Sequence, residues 1–218
     1  MMQMNIADEN LKIIFKYGSS VYKNITNCSD LDLIAIGDVD KVLKLKGDND
    51  LLIDLKILSF QSFLVFLEMH EISIIECVSL LLNDDTTMYK INDDKFRKII
   101  LSFYEDNLNL KKLRVSVSKK ASNSFVKAKK KIILENEDSY IGLKSLFHSI
   151  RIFDFGIQIG KFGYIKNFKS CNDLWDKLIL QKNYILSIKT EEEFEEFVIP
   201  WKKIFNEKHS EFKKIATK

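Results

Sequence analysis

The sequence predicts an α+β fold, in which a mixed sheet with flanking helices is followed by a C-terminal helical region. Three observations carry this prediction. Aliphatic runs of strand length fall at Lys12–Tyr17, Leu31–Ile36 and Leu51–Leu58. The turn-forming run Gly47-Asp48-Asn49-Asp50 separates the last of these from a shorter candidate at Lys41–Lys46, which reads as a hairpin. From Asp93 onward, apolar residues recur with helical spacing.

Each element has its own justification. Lys12–Tyr17 is apolar enough for a buried strand, and Gly18-Ser19-Ser20 breaks it with three small residues. Asp30-Leu31-Asp32-Leu33 alternates acids with aliphatics, the period of a strand, so Asp30 and Asp32 are expected on one face and Leu31 and Leu33 in the core. Phe60–His70 has helical spacing, whereas Ile72–Leu82 is apolar throughout and its periodicity does not separate strand from helix. Helices are expected over Asp94–Phe103, Lys111–Leu134, Ser139–Ile159, Cys171–Leu180 and Glu191–Lys214. Asn172 and Thr190 are candidate N-caps, and Thr190 is followed by three glutamates. A boundary near residues 84–94 divides the chain into residues 1–90, carrying the catalytic residues, and a helical part, residues 91–218.

The chemistry is concentrated in the first part. A turn of small residues lets a phosphate approach backbone N–H groups, so Gly18, Ser19 and Ser20 form a candidate phosphate cradle. Asp30 and Asp32 would lie about 7 Å apart along a strand, and two like charges so placed are best explained by a cation between them. Hard oxygen ligands with open positions suit Mg²⁺, which takes one or two carboxylates plus substrate phosphates. Asp54 is the candidate third acid, alone inside the aliphatic run Leu51–Leu58, where an unpaired buried carboxylate would be costly. Each part alone is ordinary: a Gly-Ser pair is usually just a turn, and an edge-strand acid usually faces water. The conjunction points to metal-dependent nucleotidyl transfer.

At these residues the chain resembles the nucleotidyltransferases of the DNA polymerase β superfamily. Gly18, Ser19, Asp30, Asp32 and Asp54 match that motif one by one. The resemblance extends over about residues 11 to 180. Asp54–Leu64 and Ile74–Val78 look like the RNA-ligase-associated predicted nucleotidyltransferases of phages and bacteria, as does Lys144-Ser145-Leu146-Phe147-His148-Ser149-Ile150-Arg151. Lys23-Asn24 departs from that group, which often has a glycine after the tyrosine. The resemblance implies a polymerase β-like sheet and two Mg²⁺ ions, with Mn²⁺ as a substitute, held by Asp30, Asp32 and Asp54. It also implies transfer of a nucleoside monophosphate from ATP or another nucleoside triphosphate, with pyrophosphate leaving.

The helical half holds a second constellation. Lys144, His148 and Arg151 are spaced i, i+4, i+7 and so share a helix face, where Lys144 and Arg151 are expected to hold triphosphate oxygens and His148 to orient a neighbour or contact phosphate. A solvated polar rim is the plainer alternative for that face. A basic run from Lys111 to Lys131 could follow a nucleic-acid backbone, which makes RNA or tRNA the expected acceptor. Two other readings stand beside it: an antitoxin-like enzyme that attaches AMP to a protein, and a nucleotide-binding module without turnover.

Composition narrows the class. The 218 residues, 46% hydrophobic and 30% charged with a net charge of +3, have a globular balance. Cys28, Cys77 and Cys171 are far apart and odd in number, which points to neither a disulfide framework nor a zinc cluster. Met1–Asn5 lacks a basic, cleavable leader and no apolar run reaches membrane-spanning length, so the expectation is a cytoplasmic protein of a bacterial cell or phage-infected host, with no membrane partner.

Overall fold

A computed structural model describes residues 11–22, 30–47, 51–85, 87, 89–92, 94–133 and 139–217. Cys28, Lys23-Asn24, the residues before Leu11 and the tip of the Gly47–Asp50 turn lie outside the described residues. The architecture is α+β: a five-stranded mixed sheet with helices, then a helical region. The chain divides into two compact units, residues 1–108 and 109–218.

In the first unit the order is β1 (Ile13–Lys16), α1 (Ser19–Tyr22), β2 (Leu31–Gly37), β3 (Lys41–Lys46), β4 (Leu52–Ser59), α2 (Phe60–Glu68), α3 (Ile72–Leu82), β5 (Tyr89–Ile91) and α4 (Asp94–Asn107). The strands run in the order β3-β4-β2-β1-β5. β2 and β4 are parallel, and the other neighbouring pairs are antiparallel. The expected hairpin is present: Lys46 pairs with Leu52, and the Gly47 N–H donates to the Leu51 carbonyl at 2.7 Å.

β2 is buried on both faces beyond Asp32. Leu33 and Ala35 join Ile53, Leu55 and Ile57 in one apolar cluster. Ile34 and Ile36 are buried too, and Ile34 pairs with Phe15 of β1, which stacks on Phe63 of α2 at 6.1 Å between ring centroids. A strand covered on both sides reads as a continuous apolar run, so the alternation seen at Asp30–Leu33 stops where the second layer begins. Ile72–Leu82, ambiguous in sequence, is a helix buried along most of its length. The stretch read as a boundary, residues 84–94, holds β5, which pairs with β1, and α4 packs on α2 and α3.

The second unit contains α5 (Leu110–Ile133), α6 (Ser139–Phe162), α7 (Asn172–Ile179), α8 (Lys182–Ser187) and α9 (Glu191–Ile215). α5 and α6 run antiparallel, since Ile132 lies against Gly142 and Val117 against Gly156. Their core is aromatic and aliphatic, with Phe147, Trp175, Phe194 and Trp201 at its centre. Thr190 caps α9 as expected. Its hydroxyl accepts from the Glu193 N–H at 3.2 Å, and the Glu193 carboxylate accepts from the Thr190 N–H at 3.0 Å. Asn172 does not cap α7: Cys171 holds the cap position, and Asn172 is the first helical residue. Among the described residues, no helix is long and apolar enough to cross a membrane.

Candidate active site

Parallel pairing of β2 with β4 sets Asp32 directly beside Asp54. Residues in register on neighbouring strands point to the same face, at the usual strand spacing of about 4.8 Å. The core fixes this register, because a one-residue slip would turn Leu55 and Ile57 out of the apolar cluster. Asp32 and Asp54 are each half-buried at the rim of the sheet.

Gly18 closes the site from the β1 side. The Tyr17 N–H donates to the Asp32 carbonyl at 3.1 Å, and the chain then turns at Gly18 with φ +69°. A methyl group on Gly18 would come within 2.8 Å of the Asp32 Oδ2, so only glycine lets the backbone pass this close to the carboxylate. The Gly18 carbonyl accepts from the Val21 and Tyr22 N–H groups at 3.0 and 3.2 Å, which starts α1. Ser19 is buried, and the Ser20 hydroxyl donates to the Tyr17 carbonyl at 2.9 Å.

Asp30 stands just ahead of β2 and is exposed. Among the described residues, no three or more of His, Cys, Asp and Glu gather closely enough to hold a metal ion as a set. The structure therefore brings together two of the three expected acids, Asp32 and Asp54. Their donor chemistry still fits Mg²⁺: two hard carboxylates on one face, with open positions, is the protein contribution that this ion commonly takes alongside substrate phosphates.

Two groups beside the pair, and one behind them, were not anticipated. Lys44 of β3 is the cross-strand neighbour of Asp54, with its Nζ 3.9 Å from the Asp54 Oδ1. Tyr17 is held well above the ordinary tyrosine range, first by burial and then by the charges of Asp32, Cys77, Glu76 and Asp54, so its hydroxyl stays protonated beside the carboxylates. Glu76, buried on α3, accepts a short hydrogen bond from the Tyr22 hydroxyl. Lys44 was recoverable from the sequence, because folding a hairpin about Asp48–Asp50 sets 44 opposite 54. Tyr17 and Glu76 are placed by tertiary packing, which no local spacing encodes.

In the second unit, Lys144, His148 and Arg151 share α6 but differ in surroundings. Lys144 is exposed and His148 half-buried, while the Arg151 guanidinium is buried over the Phe147 ring at 4.2 Å. The His148 imidazole is pushed down to about 3, by burial first and then by the charges of Arg151, Lys120, Lys144 and Lys127. Two of those lysines belong to α5, so α5 and α6 build one positive field around a neutral histidine.

No family model matches the chain, and a search of the curated proteins finds no match. Among solved structures, a nucleotidyltransferase-like protein from Exiguobacterium sibiricum is similar at a TM-score of 0.33 and 12% identity, over 96% of this chain and 69% of that one.

Proposed function

We propose that this protein is a metal-dependent nucleotidyltransferase. It moves a nucleoside monophosphate from a nucleoside triphosphate to an acceptor hydroxyl and releases pyrophosphate. The observation that supports this most is the registered pair Asp32–Asp54 with the Gly18 backbone pressed against one member. A structural role for two carboxylates side by side is hard to defend, since like charges directly opposite one another destabilise a sheet.

Asp32 and Asp54 would hold a divalent cation. When bound, that ion neutralises charge on the transferring phosphoryl group. The chain's own groups do the rest. Asp54 takes the proton of the acceptor hydroxyl as its oxygen bonds to the α-phosphorus and the bond to the bridging oxygen breaks. Gly18, Ser19 and Ser20 line the approach for the leaving β and γ phosphates. Of the α6 set, Lys144 is the exposed member and is proposed as a phosphate contact of the helical unit, since the Arg151 guanidinium is buried over the Phe147 ring. α5, which bears Lys and Arg from Lys111 to Lys131 and no acidic residue, favours an anionic acceptor such as RNA or tRNA.

The test is incubation with Mg²⁺ and each α-labelled nucleoside triphosphate in turn, with total RNA and cell lysate as acceptors, beside an Asp32→Ala/Asp54→Ala variant. Label in RNA from the wild type alone is the expected result. Label in a protein band would replace the RNA acceptor by a protein, and no transfer to any fraction would overturn the enzymatic reading.

A further inference from the structure

Asp32, Asp54 and Lys44 form a single row across three strands. Asp32 is in register with Asp54 across the parallel β2–β4 pair, and Asp54 with Lys44 across the antiparallel β4–β3 pair. Registered residues share a face, so the order is carboxylate, carboxylate, ammonium. The Lys44 side chain is 83% exposed and that of Asp54 42%, with 3.9 Å between their charged atoms. Lysines on an edge strand commonly serve to discourage edge-to-edge pairing, but that role sets no particular register. The next lysine on this face of β4, Lys56, is engaged elsewhere, with its Nζ over the Phe66 ring at 4.7 Å.

We propose that Lys44 is a phosphate-contacting residue, released from Asp54 and offered to an anion only when a divalent cation occupies the carboxylate pair. This rests on the reading of Asp32 and Asp54 as a cation site. Charge counting gives the reason. The row by itself carries two negative charges and one positive, so it repels a polyphosphate. A divalent cation on the carboxylate pair reverses the sign of the row, and the Lys44 ammonium, no longer needed by Asp54, is offered to a phosphate oxygen. Without Lys44 the same cation would only bring the row to neutrality. The long, flexible lysine stem and high exposure suit a group that changes partner.

The test uses Mn²⁺ alone and inorganic tripolyphosphate, followed by calorimetry on the full chain and by the electron paramagnetic resonance of bound Mn²⁺. Lys44→Gln is expected to bind Mn²⁺ alone several-fold more tightly, because a competing positive charge is gone. It is expected to bind tripolyphosphate in the presence of Mn²⁺ about tenfold more weakly, the scale of one charge contact near a surface. Lys44→Arg should retain both wild-type affinities. Lys44→Gln with both affinities unchanged would overturn the proposal while leaving the cation site standing. Mn²⁺ binding that is absent from the wild type, or unaffected by Asp32→Asn and Asp54→Asn, would overturn the cation site and the proposal together.

Discussion

The Gly18 backbone lies against the Asp32 carboxylate so closely that a methyl group would sit 2.8 Å from Oδ2, at a residue whose φ is +69°. Gly18→Ala meets two penalties. The left-handed conformation alone costs about 1 kcal/mol for a residue with a side chain, which urea denaturation will read. The contact also displaces the carboxylate, and misplacement by a fraction of an ångström to 1 Å is expected to lower transfer by about a hundredfold. A variant that loses stability but keeps its rate would show that Asp32 is not needed in its present place.

Neutralising either acid separates chemistry from folding. Asp32→Asn and Asp54→Asn are each expected to reduce transfer by at least about a thousandfold, the loss of several kcal/mol of charge stabilisation. Stability should hold or rise by up to about 1 kcal/mol, because a like-charge cross-strand pair is relieved. Thermal melts run with the transfer assay decide this, and a melt lowered by several degrees would mark the acids as structural.

The second unit is pinned by an ion pair. Lys208 of α9 donates to the Asp154 Oδ1 on α6 at 2.6 Å, while Ser170 and Gln158 donate to Oδ2. Burial alone would raise the Asp154 pKa, but the Lys208 ammonium and Ser170 hydroxyl outweigh it and hold the carboxyl below its usual 3.8. A depressed carboxyl stabilises above its unfolded pKa and loses that contribution as pH falls through the folded one. Lys208→Met strands a buried carboxylate and is expected to cost about 3 kcal/mol at neutral pH. The deficit relative to wild type should narrow as pH falls, first as the stranded Asp154 takes up a proton in the variant and then as the paired carboxyl does so in the wild type, below its usual 3.8. Chemical denaturation across pH, with Asp154→Leu/Lys208→Met as the repaired double variant, measures both effects.

His148 works in a different pH window. Its pKa falls from 6.5 to about 3 in the folded chain, through burial and then the charges of Arg151, Lys120, Lys144 and Lys127. The unfolded chain therefore binds the proton first, so stability falls as pH drops from 6.5 toward 3 and is unaffected above that. The His148 ring should remain neutral at pH 5 by nitrogen NMR, and His148→Asn should flatten the stability profile between pH 6.5 and 4. A ring that titrates near 6.5 would place it in open solvent.

Much of this was legible in the sequence because it depends on local pattern. The Thr190–Glu193 capping box, the β3–β4 hairpin and the long helices α5, α6 and α9 follow from residue type and spacing within one element. The pairing of Asp32 with Asp54 was legible as a requirement, an acid in an aliphatic strand needing a partner, although the parallel register had to come from the fold. Asp30 shows the limit of periodicity: counting by twos gave it a face shared with Asp32, but β2 begins at Leu31, as the strand run did, and Asp30 is exposed ahead of it. β5, α1 and α8 are too short for periodicity to report. The surroundings of Arg151 were hidden because helical spacing gives angle about an axis and says nothing of depth.

The row Asp32–Asp54–Lys44 is held by two joints of different character. Core packing of the fully buried Leu33, Leu55 and Ile57 fixes the carboxylates to one another, whereas the lysine is held to its acid by the edge-strand ladder of β3 on β4 and by the partly buried Leu43 and Leu45. A two-residue shift of β3 would carry Lys44 away from Asp54 while keeping Leu43 and Leu45 on the core face and the carboxylates where they are. Charge at the rim of the site can thus drift along an edge strand, while the acid pair stays under the control of the hydrophobic interior.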